Sequence, residues 1–230
     1  MGNFVIVGGS SGIGREITRL LSSDHDVTVI SRNAKSEDFE DNIVVKNADV
    51  LEDDLEQHLP ESIDGLVYCP GSINLKPFRS LDEDDYLSDF KINVLGAVRC
   101  IKAAYKPLKK GKNPSILLFS TVAVGQGMNF HSSVSAAKGA VEGLTRSLAA
   151  EFAPAIRVNA IAPSLIDTPL AGKLLGSEKS RKAAEERHPL NNYGKPEDVA
   201  ALAQFLLSSS AAFVSGQVYG IDGGLSSLRV

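Results

Sequence analysis

Asn3-Phe4-Val5-Ile6-Val7-Gly8-Gly9-Ser10-Ser11-Gly12-Ile13-Gly14 decides the fold. Asn3 to Val7 is a compact apolar run ending in glycines, the pattern of a parallel strand buried on both faces. Helical spacing follows at once through Ile13, Ile17, Leu20 and Leu21. A glycine-rich turn between a buried strand and an amphipathic helix is suited to bind phosphate. Gly8 permits the tight turn, Gly12 lets the backbone approach a pyrophosphate at the helix amino end, and Gly14 lets helix and strand pack closely.

Outward from this unit, strands alternate with helices. Further strands are expected at Val27–Ile30, Ile43–Lys46, Ile63–Cys69, Ile116–Phe119, Ile156–Ile161 and Gln217–Ile221. Helices are expected at Leu51–Leu59, over roughly Asp82–Lys109, and from about Ser132 to Phe152. Alternation of this kind implies right-handed crossovers and an α/β, Rossmann-type doubly wound parallel sheet with helices on both faces. No repeat, low-complexity tract or linker divides the sequence, so residues 1–230 read as a single nucleotide-binding domain. The irregular, charged segment of about 164–194 reads as a lid over the ligand crevice.

Composition limits the function classes. A net charge of −4 over 230 residues gives no basic footprint for nucleic acid. The cluster Lys106, Lys109, Lys110 and Lys112 is broken by Pro107 and Gly111. No apolar run approaches the roughly 18 residues of a membrane span, and the first residues do not read as a signal peptide. Two cysteines make no disulfide framework. A cytoplasmic location is expected, with no membrane, nucleic-acid or metal partner.

The spacing Gly8-x-x-x-Gly12-x-Gly14 resembles the fingerprint of the short-chain dehydrogenase/reductase family, with Val7 where the family usually has threonine. The resemblance continues through Thr121-Val122-Ala123, Ser135 to Arg146, and Arg157 to Pro163. It implies an oxidoreductase moving hydride between a nicotinamide cofactor and a carbonyl or alcohol, working as a homodimer or homotetramer. Cofactor-binding residues would be Gly8, Ser10, Ser11, Gly12, Ile13, Gly14, Ser31, Arg32, Asp49, Val50, Pro70, Gly71, Lys138, Pro163, Ser164, Ile166 and Thr168. At the end of the second strand Ser31-Arg32-Asn33 offers a guanidinium and no carboxylate, which favours NADP(H) over NAD(H). Tyr68-Cys69-Pro70-Gly71 stands where the family has Asn-Asn-Ala-Gly, and Ser164 stands where it has glycine.

The family's catalytic group is Asn, Ser, Tyr and Lys, the last two four apart on one helix so that the ammonium can lower the phenol's pKa. Lys138 matches the lysine, Thr121 the serine (Ser120 is its neighbour) and Asn93 the asparagine. The tyrosine position is Val134, which can neither give nor take a proton. His131, Tyr193, or Lys138 through water could substitute, and Ser132, Ser133 and Ser135 are poor acids. Three readings stay open: an oxidoreductase with a substituted proton donor, a non-catalytic NADP(H)-binding regulator or partner subunit, and a scaffold that binds no nucleotide. Cys69 reads as a small buried thiol.

Overall fold

The computed structural model describes residues 1–40 and 42–229. Seven parallel strands form one sheet: β1 (Asn3–Val7), β2 (Asp26–Ser31), β3 (Ile43–Asn47), β4 (Gly65–Tyr68), β5 (Ser115–Phe119), β6 (Arg157–Pro163) and β7 (Val218–Ile221). Their order is β3-β2-β1-β4-β5-β6-β7, which reverses direction between β1 and β4. A ligand crevice is expected at that reversal, beyond the strands' carboxyl ends.

Period-two alternation sends β1 into both hydrophobic layers. Val5 and Val7 join Leu66, Ile116 and Leu118 on one face; Phe4 and Ile6 join Val29, Val67 and Leu117 on the other. All five residues of β5 are buried. Fully burying an Ile or Leu is worth about 1.5–3 kcal/mol. That exceeds the ~1 kcal/mol span of intrinsic strand preference, so burial sets the strand.

The helices are α1 (Gly12–Ser22), α2 (Glu83–Phe90), α3 (Gly96–Leu108), α4 (Ser132–Phe152), α5 (Glu178–Arg187) and α6 (Pro196–Leu207). α4 turns Val134, Ala137, Lys138, Val141, Thr145 and Ala149 inward at helical spacing. Three expectations need correction. The long helix of 82–109 is two helices joined by one wide turn over Lys91–Leu95, with Asp82 capping the first by accepting from the Asp85 N–H at 2.9 Å. Only a single tight turn, Glu56–His58, stands where a helix over 51–59 was expected. α6 was not anticipated, although Pro196 in its first turn and inward Val199, Ala200, Ala203, Leu206 and Leu207 are helix signals.

No helix of the described residues is long and apolar enough to cross a membrane. Among them, no cluster of three or more metal-binding side chains occurs.

Candidate functional site

The loop after β1 and the loop after β4 face each other across the reversal. Gly8, at φ +79°, turns the chain, and a Cβ there would lie 3.1 Å from Pro70. A Cβ on Gly14 would stand 2.3 Å from the Gly8 carbonyl oxygen, so only glycine lets α1 begin this close to β1. The crevice between the loops is lined by Gly8, Ser10, Ser11, Gly12, Ile13 and Gly14, then by Ser31, Arg32, Asp49 and Val50, and finally by Pro70, Gly71 and Thr168. Ser10 and Ser31 hydroxyls bond at 2.7 Å and tie the phosphate loop to the end of β2. Arg32 is exposed and makes no ion pair among the described residues. Its guanidinium is therefore available to an anion.

A second cavity, of about 390 Å³, opens beside the first and shares Ile13, Cys69, Gly71, Thr168 and Leu170 with it. Thr121, His131, Val134, Lys138, Pro163, Ser164 and Ile166 line it. From residues 170–187 come Leu170, Leu174, Ala184 and Arg187. Such a volume suits a small organic substrate. The segment bordering the cavity here consists of a short turn, Pro169–Ala171, and α5, capped by Ser177.

Lys138 is 8% exposed, and its ammonium donates to the Phe119 carbonyl at 2.8 Å. Burial lowers its pKa to about 8, against the opposing influence of Cys69 and Asp89. Asn93 sits in the wide turn between α2 and α3. Its amide donates to Ser72 Oγ at 2.9 Å and to the Asp89 carbonyl at 2.8 Å, while its own Oδ1 is buried without a partner. A Cβ on Gly71 would lie 3.0 Å from that Oδ1 and 3.4 Å from Lys138 Nζ. The bare face of Gly71 thus borders both groups where crevice and cavity join. Beneath it, the buried Asp89 carboxylate accepts from Ser72 at 2.5 Å and from Ser133.

Other sequence candidates are placed less centrally. Thr121 lines the cavity, with its hydroxyl 3.5 Å from the Pro163 carbonyl. Neighbouring Ser120 donates to Glu142 at 2.7 Å. His131 is half-buried, its Nδ1 bonded to the Asn129 carbonyl at 2.6 Å. Tyr193 does not line the cavity; its hydroxyl accepts from Arg181 at 2.8 Å. Ser132 accepts from Tyr86 at 3.1 Å, and Ser135 donates to the Ala123 carbonyl.

The changes after β4 have a packing reason. Tyr68 lies under the wide turn and donates to the Ile92 carbonyl at 2.5 Å. A Cβ on Gly96 would meet that phenol at 2.1 Å, so Tyr68 in this position requires glycine at 96. Burial raises the Tyr68 pKa strongly, and it pushes the Cys69 thiol up to about 12. Neither group ionises readily.

One residue escaped the sequence reading. His188 is 1% exposed and stands 2.9 Å through Nε2 from Ser164 Oγ. Only the imidazole itself signalled it, because its partner lies 24 residues away.

A family profile described as enoyl-(acyl carrier protein) reductase matches residues 8–226, which spans both the crevice and the cavity. The chain belongs to the short-chain dehydrogenase/reductase family. It is 32% identical over 241 residues to the 3-oxoacyl-(acyl-carrier-protein) reductase of Thermotoga maritima, covering 96% of each chain. Its structure matches ligand-free aldohexose dehydrogenase of Thermoplasma acidophilum with a TM-score of 0.89 and 29% identity, over 99% of this chain and 95% of that one. NADP-bound ElxO matches with a TM-score of 0.88 and 29% identity, over 99% and 100% of the two chains. An ElxO variant with tyrosine changed to phenylalanine, solved with NADPH bound, matches equally well. Membership in this oxidoreductase family brings nicotinamide cofactors and small-molecule substrates with it.

Proposed function

We propose that this chain is an NADP(H)-dependent oxidoreductase that acts on a carbonyl or alcohol without the family's tyrosine. The observation that carries the reading is the convergence of Lys138 Nζ and Asn93 Oδ1 on the bare face of Gly71, beside a substrate-sized cavity. The unpartnered buried oxygen of Asn93 fits a role toward a bound group, because an orphaned acceptor normally costs about 1–3 kcal/mol.

The bare amides of the phosphate loop would hold the pyrophosphate at the start of α1. Arg32 would grip a 2′-phosphate, and Asp49-Val50 would meet the adenine. Lys138 would bond the nicotinamide ribose, while Pro163, Ser164, Ile166 and Thr168 would flank the carboxamide. When bound, the cofactor supplies or accepts the hydride. Thr121 would hydrogen-bond the substrate oxygen and fix its position.

Val134 occupies the family's tyrosine position, and its side chain is buried against the cavity. A positioned acid contributes about 10²–10⁴-fold, so a substitute must act or turnover must be low. That observation supports a second reading: a non-catalytic NADP(H)-binding regulator or a partner subunit of an active relative. In either case a homodimer or homotetramer in the cytoplasm is the proposed setting.

The test follows NADPH oxidation with β-ketoacyl thioesters, simple ketones and quinones. The first reading expects turnover with at least one carbonyl class. NADPH binding without any turnover would leave the second reading in its place.

A further inference from the structure

We infer that Ser164 and His188 form the proton relay that replaces the missing tyrosine. This inference rests on the hydride-transfer reading above and assigns the donor that reading leaves unnamed.

His188 Nδ1 lies 2.6 Å from the Ala184 carbonyl, an acceptor only, so Nδ1 carries the proton. In the neutral ring Nε2 is then an acceptor, and the Ser164 hydroxyl donates to it at 2.9 Å. A hydroxyl bonded to a base that is itself oriented by a third group is the arrangement that makes serine useful in proton transfer. The pair stands where chemistry would occur. Ser164 lines the cavity with Val134, Lys138 and Thr121. It directly follows Pro163, whose carbonyl faces the Thr121 hydroxyl, so Ser164 and the hydroxyl assigned to the substrate oxygen are neighbours.

When His188 is protonated, both ring nitrogens donate. Nδ1–H remains on Ala184 and Nε2–H turns to Ser164 Oγ, which frees the serine proton for the cavity. In reduction, hydride adds to the carbonyl carbon and the C=O π pair moves to oxygen. That oxygen takes the proton from Ser164 Oγ, which takes the Nε2 proton of His188 and leaves the ring neutral. Alcohol oxidation runs the same path backwards. Serine alone is a poor acid, so the proton it passes on comes from the imidazole bonded to it.

Asp222, in the turn after β7, is a charged group coupled to His188. Asp222 is opposed by burial, yet bonds from Ser226 and Gly224 and the charge of His188 hold its carboxyl below the usual range. A Cβ on the adjoining Gly223 would touch the His188 ring at 3.6 Å. His188 is a positioning residue and proton reservoir; Ser164 is the group that meets substrate.

The test compares wild type, Ser164→Ala and Ser164→Thr. Nitrogen NMR of the ligand-free protein should show the Nδ1–H tautomer of neutral His188, with an Nε2 shift that moves in Ser164→Ala. NADPH titration should give saturable binding for all three. Carbonyl reduction should fall at least 100-fold in Ser164→Ala and recover in Ser164→Thr. The inference is overturned by the Nε2–H tautomer, by an unchanged rate in Ser164→Ala, or by wild type that binds NADPH without turnover. Failure to bind NADPH would instead strike the reading beneath it.

Discussion

On the β1–β2 side of the cleft, the backbone is packed so closely that it leaves little room for change. Gly14 meets the Gly8 carbonyl, Gly8 meets Pro70, and Ser10 reaches Ser31. Across Gly71, the side that faces β4–β6 is built from exchangeable side chains, and there the chain departs from its family. On the proposed reading Val134 stands at the tyrosine position and Tyr68 and Cys69 where the family has amides, while Ser164, bonded to His188, lines the cavity. A pyrophosphate site made of amide hydrogens tolerates almost no substitution, whereas a proton can be delivered by any positioned acid. In the proposed function the contrast separates what would hold the cofactor from what would act on substrate.

The largest expected effect comes from Val134→Tyr, which puts a phenol four residues before Lys138. Placed in the Ser164→Ala background, where the proposed relay is gone, it should raise carbonyl reduction about 10²–10⁴-fold. Steady-state assays that show no gain would mean the cavity's geometry, and not the absent acid, limits the rate. Gly14→Val attacks the other side of the cleft. Its Cβ would lie 2.3 Å from a backbone oxygen, so stability should fall by about 3 kcal/mol and NADPH binding should be lost, as thermal unfolding and titration would register.

A smaller change is expected from Arg32→Ala. Loss of one charge-assisted contact of about 1.5–3 kcal/mol should weaken NADPH roughly 10- to 100-fold and leave NADH unaltered. Equal weakening of both dinucleotides would remove Arg32 from the 2′-phosphate.

The smallest is Lys138→Met, which should stabilise the ligand-free protein by about 1 kcal/mol because the ammonium is buried. The sign follows from the lowered pKa of about 8. Below that pH the folded chain carries the full cost of a buried charge, and the cost fades as pH rises from about 8 toward the unfolded lysine's ordinary value near 10.4. The advantage of Lys138→Met in melting temperature should shrink over the same interval.

Much of the crevice was legible because its signals are local. The glycine spacing of residues 8–14, the apolar run of β1 and the Ser31-Arg32 end of β2 each lie within a few residues, and the structure gathers them in one crevice. α6 was also legible, but Pro196 and the inward Val199, Ala203 and Leu206 went unread. The wide turn at Lys91–Leu95 was not: it depends on Tyr68 beneath it and on Asn93 bonding to Ser72, both contacts distant in sequence. His188 was hidden for the same reason. Nothing in Arg187-His188-Pro189 announces a bond to Ser164, because side-chain pairing across a cavity leaves no periodicity in the chain.

The most direct test of the account is calorimetric titration of the folded protein with NADPH and NADH in parallel. It should give saturable binding of NADPH at micromolar or tighter affinity, with NADH at least tenfold weaker. Absence of heat with both dinucleotides, on material that melts cooperatively, would contradict the assignment of the glycine loop and Lys138 to a nicotinamide cofactor.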